Sequence, residues 1–449
     1  MYCNHYKKSA KKPGFFYCIF PDLDSTHNSY TPITTTGPDS LHNAYIFASE
    51  GSVVSHEQLP QGVSSRAVHG GERQQRLSDA ITVPIYQTST YVFRNTQELI
   101  DFKEGRIEKG EYGRYGNPTV HAAERKLAAL EHADDALLWA SGMCAITSVL
   151  LTLLRPGQHM IITADSYRRT RQFCDSMLRR LGIEVAVVPP GDPQAIEAAV
   201  QDNTRLLFSE APTNPYLYVV DLEQIVAIAK RHSLRTMIDS TFATPYNQNP
   251  LDFGIDLVMH SATKYLGGHN DIMTGVVAGN ANLISALREA QGVLGGITDP
   301  NTAYLLLRGL KTFALRMQQH NANGGALAAF LEMHPKVRRV YYPGLASHPS
   351  YTIARQQMRG FGGVVSFEIA GTLEQTSAFI DALRIPYIAP SLGGVESLVE
   401  QPALMSYYEL APEERQRLGI SDSLVRYAAG VEDTDDLLTD VEQALKVCL

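Results

Sequence analysis

The segment LRTMIDSTFATPYNQNPLDFGIDLVMHSATKYLGG, residues 234–268, contains two short apolar runs that each end in small or polar residues. These runs, LRTMIDS and DLVMHS, have the length and composition of buried strands. Similar runs, HMIITAD, IEVAVVP and TRLLFSE, lie upstream among helical segments such as VHAAERKLAALEH, RQFCDSMLRRLG, AIEAAVQ and LEQIVAIAKRH. Strands that alternate with helices at this spacing predict an α/β fold with a mostly parallel sheet covered on both faces.

A second pattern begins after a long helical stretch at residues 302–334. Strand-like segments KVRRVYY, GGVVSFEIA and LVRYAAG interleave there with the helical segments LEQTSAFIDALR and DTDDLLTDVEQALK. This change predicts a smaller α+β domain in the C-terminal part of the chain. We therefore divide the chain into an extension (1–60), an N-terminal segment (61–120), a large domain (121–315) and a small domain (316–449).

The composition is that of an ordinary globular protein, with 449 residues of which 44% are hydrophobic. The formal net charge of −8 and the pI of about 6.0 argue against nucleic acid or a membrane surface as a partner. No helix-turn-helix pattern or basic region for DNA is evident, and no apolar run is long enough to span a bilayer. The five cysteines lack CxxC or metal-type spacing, which favours a reduced, cytoplasmic protein without a metal site.

Residues 1–60 differ from the rest of the chain. They are rich in Ser, Thr, Asn, Pro and Tyr and show no sustained periodicity. They contain acidic residues and no arginine, whereas transit peptides are rich in arginine and poor in acids. We interpret this extension as disordered or as the product of a misplaced start. A plastid location follows if it is a transit peptide after all.

Lys264 directly follows the strand DLVMH in the segment HSATKYLGG, where the chain leaves the predicted sheet. In such sheets, ligands bind beyond the carboxyl ends of the strands. An amine that is partly desolvated there has a lowered pKa and becomes a nucleophile for a carbonyl carbon. The flanking hydroxyls of Ser261 and Thr263 suit phosphate oxygens. Taken alone, the segment fits a surface lysine in a polar turn equally well.

Other segments supply the remaining groups of a cofactor site. Asp239 ends the strand LRTMIDS, where its carboxylate can cap a turn or can pair with the protonated ring nitrogen of pyridoxal 5′-phosphate (PLP). In ASGMCAITSVLLTLL the backbone N–H groups of Gly142 and Met143 begin a helix and face an anion there. In EYGRYGNPT, Tyr112 and Arg114 lie on a loop whose arginine can clamp a phosphate. Each segment has a plain structural alternative, but together they predict one PLP site.

Further residues bear on the cofactor ring and the substrate. Tyr167, in DSYRRTR after the strand HMIITA, has a ring that can stack on a cofactor. Arg426, in LVRYAAG, can hold an α-carboxylate through a fork contact. Ser391, in APSLGGVES, can assist through its hydroxyl or its backbone.

The ordered motifs YGRYGNPT, ASGMCA, SEAPTNP, IDSTFATP, HSATKYLGGHND, PSLGG and LVRYAAGVED resemble those of the Cys/Met-metabolism family of PLP enzymes. The resemblance extends from about residue 65 to the C-terminus. The family comprises cystathionine γ-synthases, cystathionine γ- and β-lyases, methionine γ-lyases and O-acylhomoserine sulfhydrylases. It implies the aspartate-aminotransferase-like type I fold, with a seven-stranded sheet in the large domain, and a homotetramer built from dimers.

The resemblance also implies a role for each matching residue. Lys264 is expected to bind the aldehyde carbon of PLP covalently, and Asp239 is expected to pair with the pyridinium nitrogen. Tyr167 is expected to stack on the ring, and Asn214 is expected to lie near its phenolic oxygen. The phosphate is expected to contact Gly142, Met143, Ser261 and Thr263, together with Tyr112 and Arg114 from the neighbouring subunit. Ser391 and Arg426 are expected to hold the substrate carboxylate.

Within the family, FKEGRIEKGEYGRYGNPT, DSYRRTR, SHPSYTIARQQMRGFGGVVSFE and IPYIAPSLGG resemble the plant-type cystathionine γ-synthase branch. Pro390 stands where many bacterial synthases and γ-lyases have a glutamate, so a substrate ammonium lacks that partner. Arg169 stands where the plant enzymes have a basic residue and methionine γ-lyases have a cysteine. An arginine there suits a homoserine ester with an anionic leaving group, either phosphate or succinate.

The resemblance therefore implies a γ-replacement reaction of methionine biosynthesis. Cysteine displaces the leaving group of O-phospho- or O-succinyl-homoserine to give cystathionine, with Lys264 moving protons and Tyr167 assisting. Elimination, as in cystathionine and methionine γ-lyases, and sulfhydrylation with sulfide are alternatives on the same scaffold, because a fold does not determine the reaction. A catalytically silent PLP-fold binding protein is a remoter alternative, against which the complete set of site residues argues.

Overall fold

The computed structural model describes residues 62–72 and 80–447. The predicted extension, residues 1–60, lies outside the described residues. Two β-sheets organise the described chain, a larger one followed by a smaller one, and this arrangement confirms the predicted α/β class. In the ranges that the structure describes, no helix combines the length and the apolar character needed to cross a bilayer.

Seven strands form the larger sheet: β1 (Asp135–Trp139), β2 (His159–Thr163), β3 (Glu184–Val188), β4 (Thr204–Glu210), β5 (Arg235–Asp239), β6 (Leu257–Ser261) and β7 (Gly275–Gly279). Their order is β1-β7-β6-β5-β4-β2-β3. Neighbours pair in parallel except that β7 is antiparallel to β1 and β6, so the mostly parallel sheet is confirmed. The sequence patterns did not identify β1 or β7. DALLW is too short for its periodicity to distinguish strand from helix, and GVVAG contains glycines, which strands disfavour.

Helices cover this sheet and precede it: α1 (Val63–His69), α2 (Thr96–Lys103), α3 (Pro118–Glu131), α4 (Gly142–Leu153), α5 (Arg168–Gln172), α6 (Pro193–Ala198), α7 (Leu222–His232), α8 (Thr244–Asn247), α9 (Ala281–Leu294) and α10 (Pro300–Leu310). Local sequence explains where α3 begins, since the Asn117 side chain accepts from the N–H groups of the first turn and Pro118 needs no partner there. The predicted helix RQFCDSMLRRLG forms, but a π-helical segment, Phe173–Leu178, interrupts its α-helical residues. A short 3₁₀ segment, Pro250–Phe253, precedes β6.

The C-terminal part contains a sheet of five strands: β8 (Val337–Tyr341), β9 (Val364–Ile369), β10 (Tyr387–Ile388), β11 (Leu398–Glu400) and β12 (Leu424–Ala428). Its helices are α11 (Phe313–Glu332), α12 (Tyr351–Gln357), α13 (Leu373–Ala382), α14 (Pro402–Met405), α15 (Pro412–Arg417) and α16 (Thr434–Leu445). The strand order is β10-β11-β12-β9-β8. The antiparallel pairing of β11 with β12 places Glu400 opposite Arg426.

The long helical stretch predicted at residues 302–334 is two helices, because α10 ends at Leu310 and α11 begins at Phe313. The predicted boundary between residues 315 and 316 falls in the first turn of α11. This helix packs against α1 and also against β8, β9 and α16, and so it connects the two parts of the chain. The division into domains at that residue stays a prediction.

Burial in the larger sheet is consecutive along its central strands. Every residue of β2 and of β7 is buried. A sheet covered by helices on both faces produces this pattern, whereas a half-exposed sheet alternates. Trp139 and Phe208 are among the largest side chains that are fully removed from solvent. The carboxyl ends of β4, β5 and β6 lie at one edge of this buried sheet.

Candidate active site

Three neighbouring parallel strands end in polar residues at the same edge of the larger sheet. Glu210, the last residue of β4, lies opposite Asp239, the last residue of β5. Asp239 in turn lies opposite Met259 of β6, two residues before Ser261. Because ligands of parallel sheets bind at this edge, the three polar side chains mark the floor of a candidate site.

Lys264 lies in a tight turn at the end of β6, where its backbone N–H donates to Ser261 O at 3.1 Å. Its Nζ donates to the Ser391 hydroxyl oxygen at 2.6 Å. Burial, reinforced by the positive charge of Arg426, lowers the pKa of Lys264 to about 8, and the carboxylate of Glu400 opposes the shift. A useful fraction of this amine is therefore neutral and nucleophilic near neutral pH.

Ser391 connects the lysine to the arginine. Its hydroxyl accepts from Lys264, and its carbonyl oxygen accepts from Arg426 Nη2 at 2.8 Å. Its φ of 100° is a conformation that a residue other than glycine adopts only when its surroundings impose it. A Cβ on Gly393 would lie 2.6 Å from the backbone nitrogen of Tyr265. The PSLGG loop is thus packed directly on the turn that carries Lys264.

Arg426 is the centre of a buried network of charges. Its Nη1 lies 3.0 Å from Glu400 Oε1 and donates to Asn214 Oδ1 at 3.2 Å. Burial raises the pKa of Glu400, and the charges of Arg426 and Lys264 oppose that shift. The Nε of Arg426 is buried and has no hydrogen-bond partner among the described residues. This remaining donor suits a substrate carboxylate.

Asp239 is held by Thr241, which donates to its Oδ1 from the backbone N–H at 3.0 Å and from the hydroxyl at 2.5 Å. The same hydroxyl accepts from the N–H of Ser261 at 2.8 Å. Burial raises the pKa of Asp239, and the hydrogen bonds from Thr241 oppose this. Burial and the charge of Asp239 raise the pKa of Glu210 well above its usual value. The two hydrogen bonds from Thr241 favour the ionised form of Asp239, the form that suits a protonated ring nitrogen.

The first turn of α4 packs against the end of β6. The Ser141 hydroxyl caps the helix by accepting from the N–H of Cys144 at 3.1 Å. Within the described residues, the N–H groups of Gly142 and Met143 remain as the free donors of this turn. A Cβ on Gly142 would lie 3.0 Å from the Ser261 Cβ, so the glycine allows these donors to approach the serine. Together they form a cradle for an anion.

Thr263 was expected to act in the same cradle, but its hydroxyl is engaged elsewhere. It accepts from the N–H of Thr274 at 3.1 Å and donates to the carbonyl oxygen of Thr274 at 3.3 Å. Its proton is already used in this contact. The hydroxyl of Ser261 is the better placed phosphate donor of the two.

Tyr167 and Arg169 lie at the start of α5. The backbone N–H of Tyr167 donates to Glu210, so Tyr167 lies next to the carboxyl pair of Glu210 and Asp239. Tyr167 is 44% exposed. Arg169 is exposed and donates to Gln172 Oε1 at 2.8 Å. No carboxylate of the described chain is paired with Arg169, so its charge is available to an anion.

Tyr112 and Arg114 are not part of this cluster in the same chain. Arg114 donates to Gly292 O at 2.9 Å, and its guanidinium carbon lies 5.1 Å from the ring centroid of Tyr112. Among the described residues, Arg114 makes no hydrogen bond or ion pair with the groups around Lys264. Their predicted contribution to a neighbouring subunit stays a prediction.

Sequence reasoning missed Glu400, Glu210 and Thr241. Glu400 is opposite Arg426 because β11 pairs with β12, and no local pattern marks a strand of only three residues. Glu210 ends a strand that had been identified, but its role depends on the neighbouring Asp239. Thr241 had a usable signal, because an aspartate followed two residues later by threonine commonly forms a local side-chain to backbone bond.

The donor set fits PLP. It provides an amine of lowered pKa for an aldehyde carbon, a hydrogen-bonded carboxylate for a pyridinium and a helix N-terminus for a phosphate. The glycine at the start of α4 leaves the space that an anion needs beside Ser261. The buried Nε of Arg426 is a further donor without a partner in the described chain, as expected where a substrate binds.

Comparison with known proteins agrees with this chemistry. Residues 64–446 match the family model described as Cys/Met metabolism PLP-dependent enzyme. The chain is 53% identical over 385 residues to cystathionine γ-synthase 1, chloroplastic, of Arabidopsis thaliana, and the match covers 85% of this chain and 68% of that protein. It is 43% identical over 392 residues to L-methionine γ-lyase of Pseudomonas putida, and this match covers 87% and 98% of the two chains.

Solved structures are also similar. A cystathionine γ-lyase from Lactobacillus plantarum, crystallised with L-serine, superposes with a TM-score of 0.80 at 38% identity, covering 86% of this chain and 99% of that chain. MetB from Corynebacterium glutamicum gives a TM-score of 0.81 at 39% identity, covering 86% and 98%. These likenesses confirm the expected type I fold. The chain therefore belongs to the Cys/Met metabolism family of PLP-dependent enzymes, and PLP is its cofactor.

Proposed function

We propose that this protein is a cystathionine γ-synthase, which replaces the γ-substituent of an activated homoserine ester with the sulfur of L-cysteine. The observation that carries the proposal is the continuous contact from Lys264 through Ser391 to Arg426. It places an amine of lowered pKa beside a buried arginine that retains a free donor. The likeness to the plant synthase and the exposed charge of Arg169 favour a substrate with an anionic leaving group.

Arg426 binds the α-carboxylate of the substrate. Asn214 and Ser391 restrict the rotation of its guanidinium, and Glu400 balances its charge while the site is empty of substrate. An arginine held in this way presents its donors in one orientation. The orientation of the bond from Cα to its hydrogen is then set before any chemistry occurs, which lowers the entropic part of the barrier.

Lys264 Nζ moves the proton at Cα of the substrate and serves as a general base and acid. Its neutral form is required for this step, and burial with the nearby charge of Arg426 makes that form accessible. The Ser391 hydroxyl holds Nζ in place through the 2.6 Å contact. The Cγ–O bond of the ester breaks, and its electron pair leaves with phosphate or carboxylate. The cysteine thiol loses its proton, which the released phosphate or carboxylate or solvent takes up, and its sulfur forms the new bond to Cγ.

PLP, when bound, supplies the electron sink for negative charge at Cα and Cβ. Asp239 would pair with the ring nitrogen and favour its protonated form, because the hydrogen bonds from Thr241 stabilise the ionised carboxylate. The Gly142 turn and Ser261 would hold the phosphate. Tyr167, held beside Glu210, would stack on the ring and assist the proton transfer.

A substrate panel tests the proposed reaction. The holoenzyme is incubated with O-phospho- or O-succinyl-homoserine, each with cysteine or with sulfide, and the products are identified by mass. We expect cystathionine as the main product with cysteine. Release of 2-oxobutanoate that persists at saturating cysteine would identify a γ-lyase instead, the second candidate, which the likeness to the Pseudomonas enzyme favours. Faster reaction with sulfide than with cysteine would identify a sulfhydrylase.

The lowered pKa of Lys264 predicts how the cofactor-free enzyme takes up PLP as the pH changes. The neutral amine attacks the aldehyde, and with a pKa of about 8 its neutral fraction increases as the pH rises through that value. The uptake rate, followed by absorbance, is expected to increase about tenfold from pH 7 to pH 9 and then to level off. An ordinary lysine would give about a hundredfold increase over the same interval, without levelling off.

Glu400→Gln provides the matched variant for this pH profile. The Glu400 carboxylate raises the pKa of Lys264, so its removal is expected to move the midpoint of the profile to lower pH. A midpoint that stays above pH 10 in the wild type, or one that moves upward in the variant, would contradict the assigned environment.

For the assembly, the proposal is a homotetramer of two dimers, in which Tyr112 and Arg114 reach the phosphate of the neighbouring subunit's cofactor. Arg114 donates to Gly292 O and lies over the Tyr112 ring, and among the described residues it has no hydrogen bond to the Lys264 cluster, which supports this arrangement. Light scattering of the purified protein measures the mass of the assembly.

For the location of the protein in the cell we retain the cytoplasm, with a plastid as the alternative, since the relative in Arabidopsis is named chloroplastic. Import into isolated chloroplasts distinguishes the two.

A further inference from the structure

Arg168 lies at the start of α5 and takes no part in the function proposed above. Its Nη1 donates to Ser406 O, and its Nη2 donates to Glu409 Oε2 at 3.0 Å. Its guanidinium carbon lies 5.8 Å from the ring centroid of Tyr407, within the range of a cation–π interaction. We call Ser406–Glu409 the tyrosine segment. One arginine of the large sheet's helical layer thus contacts the tyrosine segment at several points.

The tyrosine segment is tied to the substrate site at its other end. It follows Glu400 by one short helix, α14, and Glu400 is the ion-pair partner of Arg426. Between them, Gln401 is anchored because its Nε2 donates to Asp422 O at 2.8 Å. Backbone hydrogen bonds to Pro402 O hold Ser406 and Tyr407 on α14, and Arg168 holds the tyrosine segment from the side of α5.

The environment of Tyr407 shows which groups surround its hydroxyl. Burial raises its pKa; the charges of Arg168 and Arg426 oppose the shift, while those of Glu400 and Glu210 add to it. Arg168 directly follows Tyr167, whose backbone N–H donates to Glu210 at the floor of the site, so the Tyr407 ring beside Arg168 lies near the same edge of the larger sheet. The Tyr407 hydroxyl donates to no atom of the described residues. A phenol O–H in such surroundings is available to a ligand.

We propose that Arg168 is a positioning residue that presents the Tyr407 hydroxyl to the side-chain end of the substrate, where it donates to an anionic γ-substituent. The α-carboxylate is assigned to Arg426, so Tyr407 is assigned to the distal group, where it supplies a hydrogen-bond donor in addition to the exposed charge of Arg169. Phosphate and carboxylate oxygens are strong acceptors, whereas a thioether sulfur is a weak one, so this contact selects esters over methionine. The inference rests on the proposed function, because it concerns the leaving group of that reaction.

Binding of two unreactive amino acids tests the inference without turnover. The ligands are 2-amino-4-phosphonobutanoate, which has an anionic end, and norvaline, which has a methyl end. Their Kd values are measured from the change in visible absorbance of the holoenzyme. Arg168→Met and Tyr407→Phe are each expected to weaken binding of the phosphonate about tenfold and that of norvaline less than about twofold. The double variant is expected to lose little more affinity for the phosphonate than Arg168→Met alone, since both changes remove the same contact with the ligand.

Arg231→Met is the matched control, because it makes the same substitution at an arginine that has no assigned role. The Arg231 side chain is 57% exposed and pairs with Glu197, and ion pairs at such sites contribute little, so its Kd values should match those of the wild type. Tyr407→Phe deletes one oxygen atom and leaves the ring beside Arg168. It carries the test alone if Arg168→Met does not fold.

Equal loss of both ligands in the variants would show a merely structural role and overturn the inference. Unchanged phosphonate binding in both, with a loss in Arg169→Met instead, would also overturn it and assign the anion to Arg169. Loss of phosphonate affinity in a protein whose wild type does not convert the homoserine esters would refute the proposed reaction and still support the role of Arg168. Failure of the two proposals is thereby distinguished.

Discussion

Replacing Lys264 with alanine is expected to lower the rate of cystathionine formation by at least about 10³-fold, the scale of loss when a positioned acid–base group is removed. The Nζ atom, 2.6 Å from Ser391 Oγ, is the group assigned both to the Cα proton and to the cofactor aldehyde. The variant should therefore also fail to gain the mass of PLP after borohydride reduction, whereas the wild-type chain gains it. Steady-state assays and intact-protein mass spectrometry measure the two effects.

Lys446→Ala is the control for this experiment. The Lys446 side chain is 70% exposed and pairs with Glu442 at 3.3 Å, far from any proposed chemistry, so full activity and normal borohydride labelling are expected. Full turnover by Lys264→Ala, or a reduced adduct on a different lysine, would refute the assignment of Lys264.

The Lys264→Ala subunit also tests whether sites are shared between subunits. If Arg114 serves its neighbour's cofactor, a mixed dimer of Lys264→Ala and Arg114→Ala chains contains one intact site. Unfolding and refolding the two inactive variants together is then expected to recover up to about a quarter of wild-type activity. Recovery no greater than that of the separately refolded variants would place Arg114 outside the neighbouring site.

Arg426→Met is expected to have the largest effect on stability as well as a loss of substrate binding. It removes the partner 3.0 Å from Glu400 and leaves a carboxylate whose side chain is 3% exposed without its cation. Breaking a buried ion pair from one side costs about 3–5 kcal/mol in comparable proteins. The melting temperature should fall, and the KM for the homoserine ester should rise because no other group is assigned to the α-carboxylate.

The pH and a second substitution show whether the unpaired charge is the cause. Burial raises the pKa of Glu400, and loss of Arg426 removes the charge that opposes this shift. A folded-state pKa above the unfolded value costs stability at high pH, so the defect should be larger at pH 8 than at pH 5. Arg426→Met with Glu400→Gln should recover much of the melting temperature but not the KM. A defect that is independent of pH and is not rescued would point to lost packing instead.

Several site residues were predictable because their chemistry is tied to a local pattern. Asp239 and Lys264 follow apolar runs that could be recognised as strands, and the carboxyl ends of parallel strands meet at one edge. The turn at Gly142 was recognisable for a similar reason, since small residues before a helical run mark a helix start with free N–H groups. The local sequence pattern was insufficient to identify β1 and β7 as strands, because their short runs of small or apolar residues are compatible with strand, helix or loop.

The composition, the order of strands and helices and the residues at strand ends were enough to indicate an α/β fold and a PLP site. Which residues meet across the chain was decided by the packing of the folded protein. Glu400 faces Arg426 because two strands pair, and Arg168 reaches Ser406, 238 positions away in the sequence, because its helix lies against the tyrosine segment. Burial of apolar surface brings these segments together. Because the hydrophobic effect is not directional, the local sequence of one segment does not show which other segment it will contact.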